Sequence, residues 1–216
     1  MATFTSTAQG DLAPPRYGEP APDLVARWGD VVDRPLSWLR QVHGAEVVTV
    51  TSPGDGAGRR ADALVTDHPA AAVAVFTADC GPLALLSREG PVAAVHAGWR
   101  GLVGGVVEAA VSALRAAGAS EIRAVLGPCI HPDRYEFGAS ELDRVAGVLG
   151  PAVRATSRDG APALDLPAAV AAALERTGVH EMDDVGVCTA RSPHHWSHRA
   201  AGDVARQALV VWREAP

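Results

Sequence analysis

The sequence has 216 residues and contains neither lysine nor asparagine, so all 19 of its formal positive charges are arginines. We interpret the absence of lysine as a genome bias and not as a sign of mechanism. With 25 acidic residues, the formal net charge is −6. A nucleic-acid-binding protein usually carries a basic face, so this charge balance argues against nucleic acid as a partner.

Cysteine is scarce as well, and no segment is typical of a secreted or membrane protein. Three cysteines, an odd number, do not form a disulfide framework. The N-terminal stretch MATFTSTAQGDLAPPRYGEP lacks a basic segment followed by an apolar core, so no signal peptide is expected. No uninterrupted apolar run approaches transmembrane length. We therefore expect a cytoplasmic protein that does not associate with a membrane.

The remaining composition is ordinary for a globular protein with a sizeable core, since 48% of the residues are hydrophobic and 20% are charged. Strand-like segments outnumber helical ones, and short turns join some of them. We therefore predict an α+β fold, a single domain over residues 1–216 with a large mixed β-sheet flanked by helices.

Hydrophobic periodicity and turn-forming residues predict the individual elements. Residues 10–23, rich in proline, glycine and alanine, are predicted as a loop or a loosely attached arm. Residues 83–87 and 91–96 are predicted to pair as a hairpin. The other predicted strands are 46–52, 63–67, 72–77, 121–128, 184–189 and 205–212, the last with a helix as the alternative. The predicted helices are 101–118, ending at Gly118, and 139–149 and 166–177.

Two apolar strands end on reactive side chains: Asp79 and Cys80 end the first, and His96 ends the second. A third candidate, His43, precedes a strand and is followed by Gly44, which permits a sharp turn. Two imidazoles and one thiolate from separate segments match the three-ligand pattern of a catalytic zinc site. Taken singly, such a cysteine is more often a small buried residue, and such a histidine a core or surface group. Spacing alone leaves both interpretations open.

The segment HAGWRG connects His96 to the helix predicted to begin near Leu102. Unpaired N–H groups at a helix N-terminus favour anions. Gly98 and Gly101 would allow the backbone to approach a ligand closely, and Arg100 could hold a phosphate or carboxylate. The alternative is that the glycines only make the turn and Arg100 is a solvated charge.

Four blocks resemble the signature of the laccase-domain (YfiH-type) family: WLRQVHGAEVVTV, ADALVTDHPAAAVAVFTADCGPLAL, AAVHAGWRGLVGGVVEAAV and LGPCIHPDRYEFG. The segment CTARSPHHWSHRAAGDVARQALVVW resembles the family more weakly. Here Ser197, Arg199 and Arg206 stand at the positions of the family's serine and arginines. The resemblance implies an α+β fold similar to a toxin deamidase domain. It also implies that the metal ligands are His43, Cys80 and His96.

The sequence departs from the family near both ends. Members usually begin with a Thr-Arg-x-Gly-Gly-like stretch and then a Ser-Leu-Asn-Leu-Gly-like one. Here residues 1–37 are predicted as a shortened, variable N-terminal arm that lacks this arginine and asparagine. His195 and Trp196 stand where the family often has two phenylalanines. These departures alter the predicted substrate wall and leave the metal ligands intact.

The resemblance implies a zinc-dependent purine nucleoside phosphorylase that acts on adenosine, inosine, guanosine and methylthioadenosine and also deaminates adenosine. Its partners would be purine nucleosides and phosphate, bound by a monomer or weak homodimer. Asp79 either shuttles a proton, orients a ligand or caps a strand end. Cys129 lines the pocket or is a buried thiol, and Cys188 is expected in the core. The expected catalytic set is His43, Cys80, His96 and Asp79, and the expected substrate or phosphate contacts are Gly98, Arg100, Cys129 and Arg199.

Three other functions remain open. Copper could occupy a mixed His/Cys site and give polyphenol oxidase activity, although the sequence has no His-x-His pair of the kind that multicopper oxidases use. Cys80 could be the nucleophile of an amidase that edits peptidoglycan precursors, with His96 or His43 as its base. The chain could also bind metal without being an enzyme.

Overall fold

A computed structural model of the protein describes residues 1–213. Within these residues the helices are α1 (Pro22–Val31), α2 (Trp99–Gly104), α3 (Val106–Ala116), α4 (Ala139–Leu149), α5 (Leu166–Glu175) and α6 (His198–Ala201). The strands are β1 (Ala2–Phe4), β2 (Leu36–Arg40), β3 (Val47–Val50), β4 (Arg59–Arg60), β5 (Ala63–Thr66), β6 (Ala72–Thr77), β7 (Gly81–Ser87), β8 (Val92–Ala97), β9 (Ile122–Leu126), β10 (Arg154–Thr156), β11 (Pro162–Leu164), β12 (Met182–Asp184) and β13 (Gln207–Trp212).

The strands form two mixed sheets and a small separate pair. The five-stranded sheet has the order β1-β13-β6-β2-β4, with β13 antiparallel to both neighbours and β2 parallel to both of its own. The six-stranded sheet has the order β12-β9-β7-β8-β5-β3; its two outermost pairs are parallel and its inner pairs antiparallel. Strands β10 and β11 pair only with each other.

The two sheets pack face to face, and helices cover their outer faces. Along β6, Val73 and Val75 point into the layer between the sheets, while Ala74 and Phe76 point towards Trp28 of α1. This alternation is the period-two pattern of a strand, here buried on both faces. The outer face of the six-stranded sheet packs on α3 and α5, and α4 packs against α5. The molecule is thus a helix–sheet–sheet–helix sandwich.

The predicted α+β class, with mixed β-structure flanked by helices, is confirmed, although the strands divide into two sheets instead of one. Strand β6 and helix α4 have the predicted bounds, and β7 and β8 form the predicted hairpin. The helix predicted over 101–118 begins earlier, at Trp99, and is interrupted at Gly105. Gly105 has a φ of +88°, in the left-handed region, so the chain turns there and starts a second helix.

The strand predicted over 184–189 is wrong beyond Asp184, where β12 ends. The Asp184 side chain accepts a hydrogen bond from the N–H of Gly186 at 2.8 Å, and Gly186 has a φ of +68°. This local turn removes the backbone from the sheet. Further along, Cys188 makes a single bridge with Cys129.

The N-terminal segment is not loosely attached. Residues 10–23 are irregular up to Pro22, as predicted, but Leu12 is fully buried and its carbonyl accepts the indole N–H of Trp28 at 3.1 Å. Strand β1 extends the five-stranded sheet, and α1 packs on β6. The extent of the domain over 1–216 stays a prediction, and its last three residues lie outside the described residues. Of the helices described, none is both long and apolar enough to cross a membrane.

The topology gathers several strand termini at one edge, which we call the upper edge. Gly81, the first residue of β7, lies beside Ala97, the last of β8, and Leu83 lies beside Leu126, the last of β9. In the other sheet, Gln207 lies beside Thr77. The turn of the β7–β8 hairpin, residues 88–91, lies at the opposite, lower edge. Loops that leave the upper edge therefore start close together.

Candidate metal centre

Three potential metal ligands meet at the upper edge. His43 lies in the loop after β2, Cys80 directly precedes β7, and His96 lies near the end of β8. One ligand atom from each residue lies within 4.8 Å of the others, and Cys80 Sγ is 3.7 Å from His43 Nε2. A thiolate and two imidazoles at this spacing are a donor set for zinc or copper. The structure thus brings together the three residues that the sequence predicted as ligands.

The three side chains lie at different depths. His96 is only 3% exposed, Cys80 is half-buried and His43 is exposed. The two imidazole rings meet edge to face, with their centroids 4.7 Å apart. The group is therefore open to solvent on the His43 side, and this is the side from which a small molecule can approach.

Asp62, which the sequence analysis missed, connects both histidines. Its fully buried carboxylate accepts the Nδ1–H of His96 at 2.8 Å. It also accepts the backbone N–H groups of Val42, His43 and Gly44, at 3.2, 2.9 and 2.7 Å. A carboxylate bonded to the far nitrogen of a ligand histidine fixes the ring's tautomer and leaves Nε2 free for a metal. The same bonds hold His43 in the left-handed region, with a φ of +58°.

The charges of the site favour a thiolate. Burial raises the pKa of the Cys80 thiol, but the nearby imidazoles of His96 and His43 together outweigh burial and lower this pKa to about 6. Burial lowers the pKa of His96, whereas the Cys80 thiolate and the Asp62 carboxylate raise it to about 9. The two shifts reinforce each other and favour a thiolate on Cys80 beside an imidazolium on His96 in the metal-free protein. The thiolate is the form of cysteine that binds metals.

Helix α2 starts so close to the ligands that only glycine fits at its N-cap. A Cβ atom on Gly98 would lie 2.8 Å from His43 Cδ2 and 3.2 Å from Cys80 Sγ. A Cβ atom on Gly101 would lie 2.9 Å from the carbonyl oxygen of Gly44. Both glycines therefore have a steric role beside the ligands, and the phosphate contact expected of Gly98 stays a prediction.

A row of aromatic side chains flanks this region and was also missed. Trp99 meets Phe137 edge to face at 5.4 Å between ring centroids, and Phe137 meets Tyr135 in the same way at 5.3 Å. We call these three residues the aromatic row. The pKa of Tyr135 is raised, mainly by burial and further by the Cys80 thiolate. At the other end of the row, Trp99 follows Gly98, which lies against His43 and Cys80. The sequence does contain a sign of them, because these aromatic residues lie within the segments HAGWRG and DRYEFG, next to the predicted site residues.

The two arginines expected to contact phosphate lie at the two ends of the aromatic row. Arg100 Cζ is 4.3 Å from the ring centroid of Trp99, and Arg199 Cζ is 4.8 Å from that of Tyr135. Because α2 begins at Trp99, Arg100 lies in its first turn. Both arginines are exposed. Their contact with phosphate stays a prediction.

The remaining predicted residues lie deeper. Asp79 is 8% exposed, and its carboxylate is hydrogen-bonded to the C-terminal segment. Cys129 has no exposed surface, and burial raises its pKa well above the usual range. This corrects its assignment to the pocket wall in favour of the alternative, a buried thiol. Cys188 is 4% exposed and belongs to the interior, as expected.

The fold and the site define a class of protein: a helix–sheet–sheet–helix domain with a His–Cys–His group at one edge of its sheets. A family model described as "Multi-copper polyphenol oxidoreductase laccase" matches residues 22–214. The chain belongs to this family, which confirms the resemblance to the YfiH-type, laccase-domain proteins. Among residues 1–213, His43, Cys80 and His96 form the one group of three or more such side chains arranged to hold a metal.

Proteins with similar sequences are named as purine nucleoside phosphorylases, whereas the family model is described as a laccase. A protein of Streptomyces coelicolor, named purine nucleoside phosphorylase, is 45% identical over 194 residues, which cover 88% of this chain and 80% of that protein. A Mycobacterium bovis protein of the same name is 40% identical over 180 residues, 82% of this chain and 72% of its own. The purine nucleoside phosphorylase YfiH of Escherichia coli is 35% identical over 187 residues, 85% of this chain and 76% of its own.

Solved structures share the fold. A Neisseria meningitidis protein superposes with a TM-score of 0.82 at 28% identity, covering 99% of this chain and 94% of the other. The YlmD protein of Geobacillus stearothermophilus superposes with a TM-score of 0.84 at 24% identity, covering all of this chain and 92% of its own. The arrangement of two mixed sheets between helices is therefore shared with these solved structures.

Proposed function

We propose that this protein is a zinc-dependent purine nucleoside phosphorylase that acts on adenosine, inosine, guanosine and methylthioadenosine, and that it also deaminates adenosine. The observation that carries the proposal is the His43–Cys80–His96 group beside the aromatic row and its two arginines. The names of the similar proteins support the reaction class. The side chains of this region support it chemically, because they offer groups for a metal ion, for phosphate and for a purine base.

The donor set suits zinc. Cys80 ionises at a pKa of about 6, and the hydrogen bond to Asp62 leaves Nε2 of His96 available. Within residues 1–213 the group has three protein ligands, and three ligands are typical of catalytic zinc, which keeps a fourth position open. A zinc ion held by these side chains would supply a Lewis acid beside the substrate.

Phosphorolysis of a purine nucleoside breaks the bond between N9 of the base and C1′ of the ribose. An oxygen of phosphate becomes bonded to C1′, and the leaving base takes up a proton. The chain must therefore hold an anionic nucleophile near a flat, largely apolar base. Arg100 and Arg199 offer guanidinium groups for the anion, and the aromatic row offers ring surfaces for the base.

Deamination of adenosine adds water at C6 of the base and releases the amino group as ammonia, so it leaves the N9–C1′ bond intact and consumes no phosphate. It needs the base to be held near the metal centre, but it does not need an anion site. The two activities therefore depend on different parts of the same region. A variant that loses an arginine should separate them, whereas a variant that loses a metal ligand should lose both.

The test is a panel of purine nucleosides, incubated with and without phosphate and analysed by chromatography. We expect free base to appear in a phosphate-dependent manner, and inosine to form from adenosine more slowly and without phosphate. The control is His43→Ala, because His43 is the exposed ligand and its removal disturbs the core least. If hypoxanthine, adenine and inosine never exceed the level of this control, the proposal is wrong.

A cysteine-dependent amidase acting on peptidoglycan precursors is the second candidate. The observation that favours it is the Cys80 thiolate, which lies 3.7 Å from an imidazole as in a cysteine nucleophile with its base. The two candidates respond oppositely to zinc. The amidase is active without metal, is inactivated by iodoacetamide and is inhibited by zinc; the phosphorylase requires zinc, which protects Cys80 from alkylation.

A further inference from the structure

We propose that Asp79 is a positioning residue, which anchors the segment Thr189–Arg199 beside Cys80 and so sets where Arg199 stands. This inference rests on the proposed function in so far as Arg199 contacts phosphate. The anchoring itself depends only on geometry.

Three donors of the C-terminal segment converge on the Asp79 carboxylate. The hydroxyls of Thr189 and Ser197 both donate to Oδ1 at 2.7 Å. The backbone N–H of Arg199 donates to Oδ2 at 2.6 Å. The donors are 110 to 120 residues away from Asp79 in the sequence. The Asp79 side chain thus attaches the segment Thr189–Arg199 to the turn before Cys80.

Both carboxylate oxygens are thus occupied by groups of the protein. Hydrogen bonds to a charged acceptor are roughly twice as strong as neutral ones, and here they are buried, since Asp79 is 8% exposed and Ser197 is 3% exposed. Of the roles that the sequence left open for Asp79, this arrangement favours orientation. The Ser197 hydroxyl also accepts the N–H of Ala200 at 3.1 Å, which fixes its donated hydrogen on Asp79.

The backbone conformation of Asp79 also depends on these hydrogen bonds. Its φ of +98° lies in a region that residues other than glycine rarely adopt. Such a conformation persists only where the surroundings hold it. Here the three donors hold the side chain, and the carbonyl oxygen of Asp79 accepts the N–H of Ile130 at 2.9 Å. The turn at Asp79 leads directly into Cys80.

Arg199 is therefore fixed at both ends. Its N–H is bonded to Asp79, and its Nη1 donates to the carbonyl oxygen of Glu136 at 2.7 Å. Between these two bonds the guanidinium lies against Tyr135, at one end of the aromatic row. Without the bond to Asp79, the backbone of Arg199 would be free to move away from the metal centre.

The experiment compares Asp79→Gly, Asp79→Asn and Thr189→Val by backbone amide hydrogen exchange in the zinc-loaded protein. Glycine accepts the φ of +98° without strain, so Asp79→Gly removes the hydrogen bonds and keeps the turn. Thr66→Val is the matched control, because it removes a buried hydroxyl bonded to a carbonyl at the lower edge. Asparagine keeps the shape of aspartate and one acceptor oxygen, and it tests for partial rescue.

In Asp79→Gly we expect exchange within residues 189–199 to accelerate by roughly ten- to a hundred-fold, the effect of losing a hydrogen bond to a charged group. Asp79→Asn and Thr189→Val should fall between this variant and the wild type. The amides of Val42, His43 and Gly44, which are bonded to Asp62, should exchange as in the wild type, and Thr66→Val should leave residues 189–199 unchanged.

A second readout uses turnover. The apparent KM for phosphate should rise in Asp79→Gly, whereas Thr66→Val should leave it as in the wild type. Unchanged exchange in 189–199 would overturn the proposal, as would equal acceleration at the amides bonded to Asp62, since that signals general destabilisation. If the wild type has no nucleoside activity, the proposed function fails, and the exchange measurement still decides whether Asp79 anchors the segment.

Discussion

The two ends of the β7–β8 hairpin differ in how they arrange polar groups. At the lower edge, a cavity of about 620 Å³ is lined by charged and polar side chains, among them Arg88, Glu121 and His180. The charges there pair on the surface, as Arg88 does with Glu121 at 3.2 Å and Arg123 with Asp183. At the upper edge, Asp62 and Asp79 are buried, and each of these carboxylates accepts three or more hydrogen bonds from other groups of the fold.

This difference shows that convergence of polar groups locates the candidate site better than the size of a cavity. An exposed ion pair contributes about 0–1 kcal/mol and tolerates substitution. Removing the Asp62 side chain would instead leave the buried Nδ1–H of His96 without its acceptor, at a cost of about 1–3 kcal/mol. The partly buried N–H groups of residues 42–44 would lose theirs as well. The upper edge is therefore the less tolerant of change, and matched substitutions at the two edges test this comparison.

The largest difference is expected for His96→Ala and His180→Ala. His96→Ala removes the buried metal ligand, and we expect the purified variant to retain almost no zinc, whereas the wild type carries about one ion per chain. His180 is exposed at the lower edge, so His180→Ala should retain the full amount. Metal analysis of the purified proteins measures both.

Cys80→Ala repeats the first experiment at a half-buried position, in case His96→Ala folds poorly. The comparison fails if zinc occupancy is full in both ligand variants. Zinc would then be bound elsewhere, and the His43–Cys80–His96 group would not be its site.

A smaller difference is expected for Asp62→Asn and Asp183→Asn. An asparagine side chain accepts hydrogen bonds only at its oxygen, because its nitrogen is a donor. Its NH2 group would therefore face either the Nδ1–H of His96 or the N–H groups of residues 42–44, and one set of bonds would be lost. Residues that orient metal ligands typically change metal affinity by about 10- to 100-fold when replaced. We expect a loss of this size in Asp62→Asn and none in Asp183→Asn, measured by competition with a zinc chelator. Equal affinities would show that Asp62 does not orient the ligands.

Much of the fold was visible in the sequence because strand and helix periods are local. The run of small and β-branched apolar residues at 72–77 and the helical pattern of 139–149 predicted β6 and α4 with the observed bounds. The division into two sheets was not visible, because it depends on which strands pair across long distances. Similarly, the turn at Gly186 that ends β12 rests on one side-chain hydrogen bond, which composition does not reveal.

The candidate metal ligands could be predicted because histidine and cysteine are scarce and lie next to strand ends here, and because the resemblance to the laccase-domain family implied the same three residues. Asp62 could not, since one aspartate before an apolar strand resembles any turn residue, and its importance comes from four groups that the fold brings to it. The aromatic row was missed for the same reason: Trp99 is 36 residues or more from its partners in the sequence, so only the packing of α2 shows that they meet. The sequence left two alternatives for Cys129, the pocket wall or a buried thiol, because a place within a signature block does not distinguish a buried side chain from an exposed one.

The third comparison uses Arg100→Ala and Arg88→Ala, two exposed arginines at opposite edges. If Arg100 binds phosphate, its loss should lower the apparent phosphate affinity by roughly ten- to a hundred-fold, the range for a hydrogen bond to a charged group. Deamination uses water and should be spared. Arg88→Ala should change neither activity. A phosphate titration of both activities checks this, with fold and zinc content confirmed first.

Two outcomes would contradict this assignment of Arg100. Equal loss of phosphorolysis and deamination would mean that Arg100 supports the whole region and does not bind phosphate. No loss of either activity would make it a solvated charge stacked on Trp99.

The smallest difference is expected for Trp99→Leu and Trp212→Leu, because each edge has a tryptophan with an arginine against its ring. Arg100 lies 4.3 Å from the Trp99 ring, and Arg34 lies 5.9 Å from the Trp212 ring. If Trp99 contributes to a surface for the purine base, Trp99→Leu should raise the KM for inosine by roughly two- to twelve-fold, which corresponds to an aromatic contact of about 0.5–1.5 kcal/mol. Trp212→Leu should leave this KM unchanged, and both variants should keep their zinc. A KM that rises equally in both would mean that loss of a half-buried tryptophan weakens the fold as a whole, and the aromatic row would then have no particular role in holding the base.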